Sequence, residues 1–210
     1  MEELWKILGV TKGVTAVIGS GGKTSLLYEL AEELRPCGTV LLATTTHIMR
    51  PPQYPFVQTP EELAAALAAG GIACVGSLTP EGKLTAPAFD GWQQAADFVL
   101  VEADGSKRLP AKAHETWEPV LPPERTRTIC VLGATAFGQP IRPGGAPWSA
   151  VITPEMAARV ICAEGLCDIV YVNQVDDPEV SPSWAEAFVR ASSVPVVAGS
   201  LQARRWRRIS

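Results

Sequence analysis

Seven short apolar runs rich in β-branched residues recur along the chain, at residues 14–18 (VTAVI), 39–44 (TVLLAT), 72–76 (IACVG), 97–102 (DFVLVE), 128–133 (TICVLG), 168–173 (DIVYVN) and 194–199 (VPVVAG). Each is continuous instead of alternating, the pattern of a strand covered on both faces. Helical stretches lie between them: Leu26, Leu27, Leu30, Ala31 and Leu34 make one apolar face, opposite Glu29, Glu32 and Glu33. Thr59-Pro60-Glu61-Glu62 reads as a capping box with proline at the first helical position, and Thr153-Pro154-Glu155 and Ser181-Pro182 open two later helices in the same way. Thr79-Pro80-Glu81-Gly82 reads instead as the turn of a short hairpin. Strands and helices in alternation, joined by right-handed crossovers, predict an α/β fold with a mostly parallel sheet and helices on both faces.

Length and charge narrow the rest. At 210 residues the chain suits one domain, residues 1–210, with residues 201–210 as a basic tail. Hydrophobic residues make up 47% and charged residues 19%, which excludes a disordered chain. Four arginines (Arg204, Arg205, Arg207, Arg208) stand near the end, and the other 14 basic residues face 22 acidic ones. An acidic body argues against a broad nucleic-acid surface, and the arginine stretch reads as a frayed, solvated end before a contact for a phosphate-rich partner, an acidic protein surface or RNA. No run reaches the roughly 20 apolar residues of a membrane span. The opening MEELWKILGV has the wrong order of charge for a signal peptide. Five cysteines, with no C-x-x-C pair, read as reduced core residues of a cytoplasmic protein.

The first run passes directly into Gly19-Ser20-Gly21-Gly22-Lys23-Thr24, and a helix pattern follows at once. The usual Walker A spacing, G-x-x-x-x-G-K-[ST], needs glycine at position 17, which is Val17; the shorter G-x-x-G-K-T stands here. The physics does not depend on the missing glycine. Successive N–H groups of a glycine turn and of a helix start form a concave anion site, and the helix dipole reinforces it. Lys23 reaches terminal phosphates, and the Thr24 hydroxyl completes a Mg²⁺ shell made of phosphate oxygens and waters. The bland alternative is a glycine turn with a solvated lysine.

A magnesium-nucleotide site needs a carboxylate at the end of a neighbouring strand. DFVLVEADGSKRLPAKA (97–113) supplies Glu102 and Asp104, two residues apart and so on one side. Either is placed to bind Mg²⁺ directly or through water while the other orients a nucleophile. Lys107 and Lys112 follow, suited to neutralising charge on a phosphoryl group. The three threonines of TTTHIMRPP (44–52) offer hydroxyls above the same sheet edge; His47 and His114 read as ordinary polar residues before acid–base candidates. At the sixth strand end, Asn173 and Asp176 match the guanine-reading N-K-x-D pattern, with Gln174 in place of lysine; an Asn-Asp turn explains the same residues equally well.

Taken together, GSGGKTSLL, TTTHI, VLVEADGSKRLPAKAHETWEP and VNQVD resemble the YqeC family, described as accessory proteins of selenium-dependent molybdenum hydroxylases. The resemblance covers roughly the first 140 residues and the stretch near 173, and its K-T-S and E-A-D-G-S-K blocks are specific. It implies a three-layer P-loop NTPase fold of the branch that includes MinD, MobB and the nickel-insertion GTPases. It also implies nucleotide contacts from Gly19 to Ser25, with Lys23, Glu102, Asp104 and Lys107 at the chemistry. Three functions fit: an ATP- or GTP-hydrolysing maturation factor for such a hydroxylase or its cofactor, a small-molecule kinase, and a nucleotide-binding scaffold that changes shape or forms a homodimer without turnover.

Overall fold

The computed structural model describes residues 2–105, 109, 111–141, 150–175 and 183–210. In chain order its elements are α1 (Leu4–Ile7), β1 (Gly13–Gly19), α2 (Lys23–Leu34), β2 (Val40–Thr44), β3 (Ile48–Met49), β4 (Phe56–Val57), α3 (Pro60–Gly70), β5 (Ile72–Val75), β6 (Ser77–Leu78), β7 (Lys83–Thr85), β8 (Phe98–Glu102), β9 (Arg125–Gly133), α4 (Pro154–Glu164), β10 (Ile169–Asn173), α5 (Ala185–Ala191), β11 (Val196–Ser200) and β12 (Arg205–Arg208). All seven apolar runs are strands of one sheet, ordered β12-β11-β10-β9-β1-β8-β2-β5-β4. Every neighbouring pair is parallel except β11 with β12.

The continuous runs are buried on both faces because each face carries its own helical layer. On one side Leu4 of α1 and Leu26, Leu30 and Leu34 of α2 pack against Val17, Leu100, Val131 and Tyr171. On the other, Ile161 of α4 and Phe188 of α5 cover Ile18, Leu132 and Val172, and Leu63 and Leu67 of α3 cover Leu41, Ala73 and Val99. Each buried Val, Leu, Ile or Phe side chain among them contributes about 1.5–3 kcal/mol by leaving water. The result is a three-layer α/β fold of P-loop NTPase-like architecture. Among the described residues no helix is long and apolar enough to cross a membrane.

Local signals act as the sequence reads. Thr59 Oγ1 accepts the Glu62 N–H at 3.2 Å, and the Glu62 carboxylate accepts the Gln58 N–H at 2.9 Å. Thr153 accepts the Met156 N–H at 3.2 Å and starts α4. Residues 79–82 turn β6 into antiparallel β7, and β3 joins the other side of β7 as a separate three-stranded sheet. The expected helix start at Ser181-Pro182 lies outside the described residues. All five cysteines are free: Cys74 and Cys130 are buried, Cys162 and Cys167 half-buried, and Cys37 exposed instead of in the core.

The arginine stretch departs from the expected frayed end. It forms β12, antiparallel on β11. Trp206 between the arginines is 8% exposed and donates its indole N–H to the Glu2 carbonyl at 2.8 Å. Arg204 reaches Glu29 of α2 at 2.6 Å. Four arginines dominate the composition there and hide the one inward aromatic ring that seats the strand.

Register positions the loop. Val17 of β1 stands beside Glu102 of β8, and Gly19 beside Val131 of β9. The glycine turn therefore leaves the centre of the sheet, between the two strands whose ends face it.

Candidate functional site

Glycine is required where β1 turns. Gly19 has φ 91°, and a Cβ there would lie 2.2 Å from the Val131 carbonyl oxygen. Gly22, with φ 129°, caps α2, and its Cβ would lie 2.4 Å from Asn173 Nδ2. The leading N–H groups of α2, beginning at Lys23, have no partners within the helix. Ser20 is buried; its N–H donates to the Val131 carbonyl at 2.8 Å, while its hydroxyl has no protein partner.

Around this turn the structure assembles Lys23, Thr24, Glu102 and Asp104. Lys23 is 3% exposed; its ammonium donates to the Gly19 carbonyl at 2.8 Å and lies 2.9 Å from Asp104 Oδ1 and 3.7 Å from Glu102 Oε1. It is thus a buried cation between two acids, not the solvated lysine of the bland alternative. Thr24 donates its hydroxyl to Glu102 Oε2 at 2.9 Å. Asp104 Oδ2 accepts the Gly19 N–H at 2.8 Å. The two carboxylates face the loop from the same side, as their spacing along the chain suggests.

Asp104 is also held from behind. Lys112 Nζ lies 3.4 Å from its Oδ2 and 2.6 Å from Glu118. His114 Nε2 lies 2.7 Å from Asp104 Oδ2, and His114 Nδ1 lies 2.8 Å from Glu164 at the end of α4. A neutral imidazole would turn one lone pair toward a carboxylate oxygen, so the imidazolium is the form that suits both neighbours. Burial alone would lower the His114 pKa, but the bonds to Asp104 and Glu164 outweigh it and raise it to about 9. For Asp104, burial pushes up; hydrogen bonding to His114 and the charges of Lys23 and Lys112 overcome it and hold the carboxyl below its ordinary value. Burial wins at Glu102, whose pKa is raised against the pull of Lys23 and Thr24. Two neighbouring acids thus differ in proton affinity.

Thr44, the last residue of β2, and Thr45 after it serve the main chain. Thr44 donates to the Glu102 carbonyl at 2.9 Å and Thr45 to the Val120 carbonyl at 2.6 Å, bracing the acid-bearing strand end. His47 is exposed. Asn173 staples the loop to the far strands: Nδ2 donates to the Gly21 carbonyl at 2.8 Å, and Oδ1 accepts the Leu201 N–H at 3.2 Å. Gln174, at φ 64°, accepts the Thr135 hydroxyl at 2.7 Å. A cavity of about 640 Å³ opens beside the loop along the outer face of α2, walled by Ser25, Glu29, Asn173, Ser200 and Leu201. Lys107 and Asp176 lie outside the described residues.

Glu118 and Glu164 are the members of the cluster that sequence reading misses, and His114 the one it underrates. KAHETWEP places His114 and Glu118 close behind the acids, but Glu164 comes 50 residues later with no motif around it.

Fold and site together define an α/β protein of P-loop NTPase-like architecture, with a glycine turn at the central strand and paired acids on its neighbour. The profile of the YqeC protein family matches residues 15–144, and the chain belongs to that family. A curated relative, "Uncharacterized protein YqeC" of Escherichia coli (strain K12), is 38% identical over 136 residues, which cover 60% of this chain and 53% of the relative. The chain thus spans about half the length of the curated relative it matches. No solved structure matches the chain.

Proposed function

We propose that the chain binds a nucleoside triphosphate with Mg²⁺ at residues 19–25 and hydrolyses it as a cytoplasmic accessory or maturation factor for a selenium- or molybdenum-dependent hydroxylase. The observation that supports this most is the burial of Lys23 between Asp104 and Glu102 at the mouth of a glycine turn. A polyphosphate arriving there meets a row of main-chain N–H groups, a helix N-terminus and an ammonium already desolvated.

The donor set fits a hard cation. The Thr24 hydroxyl and the Glu102 carboxylate are adjacent oxygens, and Asp104 Oδ1, buried beside them, faces the Lys23 ammonium at 2.9 Å. Among the described residues no three His, Cys, Asp or Glu side chains gather as a metal site. Most ligands must then come from phosphate and water, as Mg²⁺ prefers. When bound, Mg²⁺ supplies neutralisation of the phosphate oxygens. Thr24 with Glu102 or Asp104 would hold it, and the charge of Lys107 would neutralise that of the phosphoryl group. The base would enter the cavity beside Asn173 and Leu201, with Asp176 reading guanine if GTP is the substrate. The client, a hydroxylase or its cofactor, rests on the family resemblance alone.

Thermal unfolding with ATP or GTP and Mg²⁺ tests the binding step. At about a hundredfold excess over Kd, the melting temperature should rise by about 5–10 °C, and Lys23→Ala should abolish the rise. No shift with either nucleotide at millimolar concentration overturns the proposal. Single-turnover assays with labelled nucleotide then separate hydrolysis from transfer to a small molecule and from binding alone.

A further inference from the structure

We propose that His114 is a positioning residue for the nucleotide site: it fixes the direction of the Asp104 carboxylate, and Glu164 at the end of α4 fixes His114 in turn. This rests on the nucleotide reading above and extends it to residues outside the glycine turn and its strand-end acids.

All three nitrogen atoms of His114 are committed to two carboxylates. Nε2 meets Asp104 Oδ2 at 2.7 Å. Glu164 grips the same residue with both oxygens, one 2.8 Å from Nδ1 and the other accepting the His114 main-chain N–H at 2.9 Å. The side chain is 4% exposed. A ring held this way has little freedom to turn, and it passes that restriction to Asp104 Oδ2, which also receives the Gly19 N–H. Oδ2 is therefore occupied from the protein side, and Oδ1 is left facing Lys23 at 2.9 Å.

The arrangement also explains how Lys23 can change partners. If its ammonium turns to a phosphate, a buried carboxylate left without a counter-charge would be costly. Asp104 keeps His114 and Lys112 in that event. Glu102, held by Thr24 and the more distant Lys23, has no such second support in the described contacts. Asp104 stays oriented through the exchange, and that is what a group facing a phosphate-bound cation requires.

Glutamine and asparagine separate the two ends of the imidazole. In His114→Gln the amide nitrogen takes the place of Nε2 and keeps the bond to Asp104. In His114→Asn it takes the place of Nδ1, keeps Glu164 and loses Asp104. Nucleotide affinity is measured calorimetrically for the full chain with Mg²⁺ and with EDTA, beside urea unfolding of the same variants. The expected result is that His114→Asn loses about 10- to 100-fold of the Mg²⁺-dependent gain in affinity, with the EDTA value little changed, while His114→Gln retains most of the gain. Wild-type gain in both variants overturns the proposal, and so does a parallel fall of both affinities in both variants, which is the mark of a purely structural histidine. If His114→Asn does not fold, Glu164→Ala decides. It removes both bonds to residue 114 while leaving the imidazole in place, and an unchanged Mg²⁺ gain there overturns the role. A wild-type chain that binds no nucleotide at all removes the proposed function, and this inference falls with it.

Discussion

Asp104 Oδ2 accepts the Gly19 N–H at 2.8 Å, which makes the acid after β8 and the turn after β1 one hydrogen-bonded unit across 85 residues of chain. Three cationic groups converge on the same carboxylate. Replacing Asp104 with alanine leaves Lys23, Lys112 and His114 buried around a missing charge. The expected loss is about 3–5 kcal/mol of stability, read from urea unfolding without nucleotide. A loss below about 1 kcal/mol would mean that the cluster relaxes into solvent and that the contact is worth no more than a surface ion pair.

Gly22→Ala sets a Cβ at 2.4 Å from Asn173 Nδ2 and at a φ of 129°. The backbone part of the cost is about 1–3 kcal/mol. The crowding part depends on Asn173, so a double-mutant cycle with Asn173→Ala should show the pair less destabilised than the sum of the two single changes. Strict additivity would show that Asn173 does not press on the loop.

Asp97 precedes β8 and accepts from Lys12 at 2.7 Å and from the Thr39 N–H at 2.9 Å. The Lys12 bond first, then the Thr39 bonds, lower its pKa from 3.8 to about 2. A depressed folded-state value stabilises fully above the ordinary value and fades as pH falls from there through the folded one. Asp97→Asn should therefore be less stable than wild type at pH 7, with the gap closing between about pH 4 and pH 2. Chemical denaturation across that range measures it; a gap independent of pH would assign the effect to packing.

Trp206 ties β12 to the N-terminal segment through the Glu2 carbonyl. Trp206→Ala should cost about 3–5 kcal/mol and should expose residues 201–210 to limited proteolysis. If stability and cleavage stay at wild-type levels, the last strand contributes nothing to the fold.

The architecture was legible because each signal was local. Seven continuous apolar runs need cover on both faces, and Thr59 and Thr153 cap the helices they begin. The gathering of the candidate site's residues was legible for a similar reason: Lys23 and Thr24 open the helix that follows β1 after a three-residue turn, and Glu102 ends β8 with Asp104 two residues beyond. What stayed hidden depends on distance along the chain. Glu164 meets His114 only because α4 ends beside the loop after β8, and no pattern near residue 164 announces it. Thr44 and Thr45, at the end of β2, read as ligand hydroxyls because residue type does not reveal that both are taken by main-chain carbonyls. At residues 205–208, charge composition outweighed the single buried ring, Trp206, that seats the strand.

That last strand also bears on how copies of this chain meet in a crowded solution. A sheet that ends on a bare row of N–H and C=O groups invites another molecule to continue it. Here the outermost strand carries Arg205, Arg207 and Arg208. Like charges on an incoming twin would oppose main-chain pairing along that border, one of the ways in which natural sheets guard an edge strand.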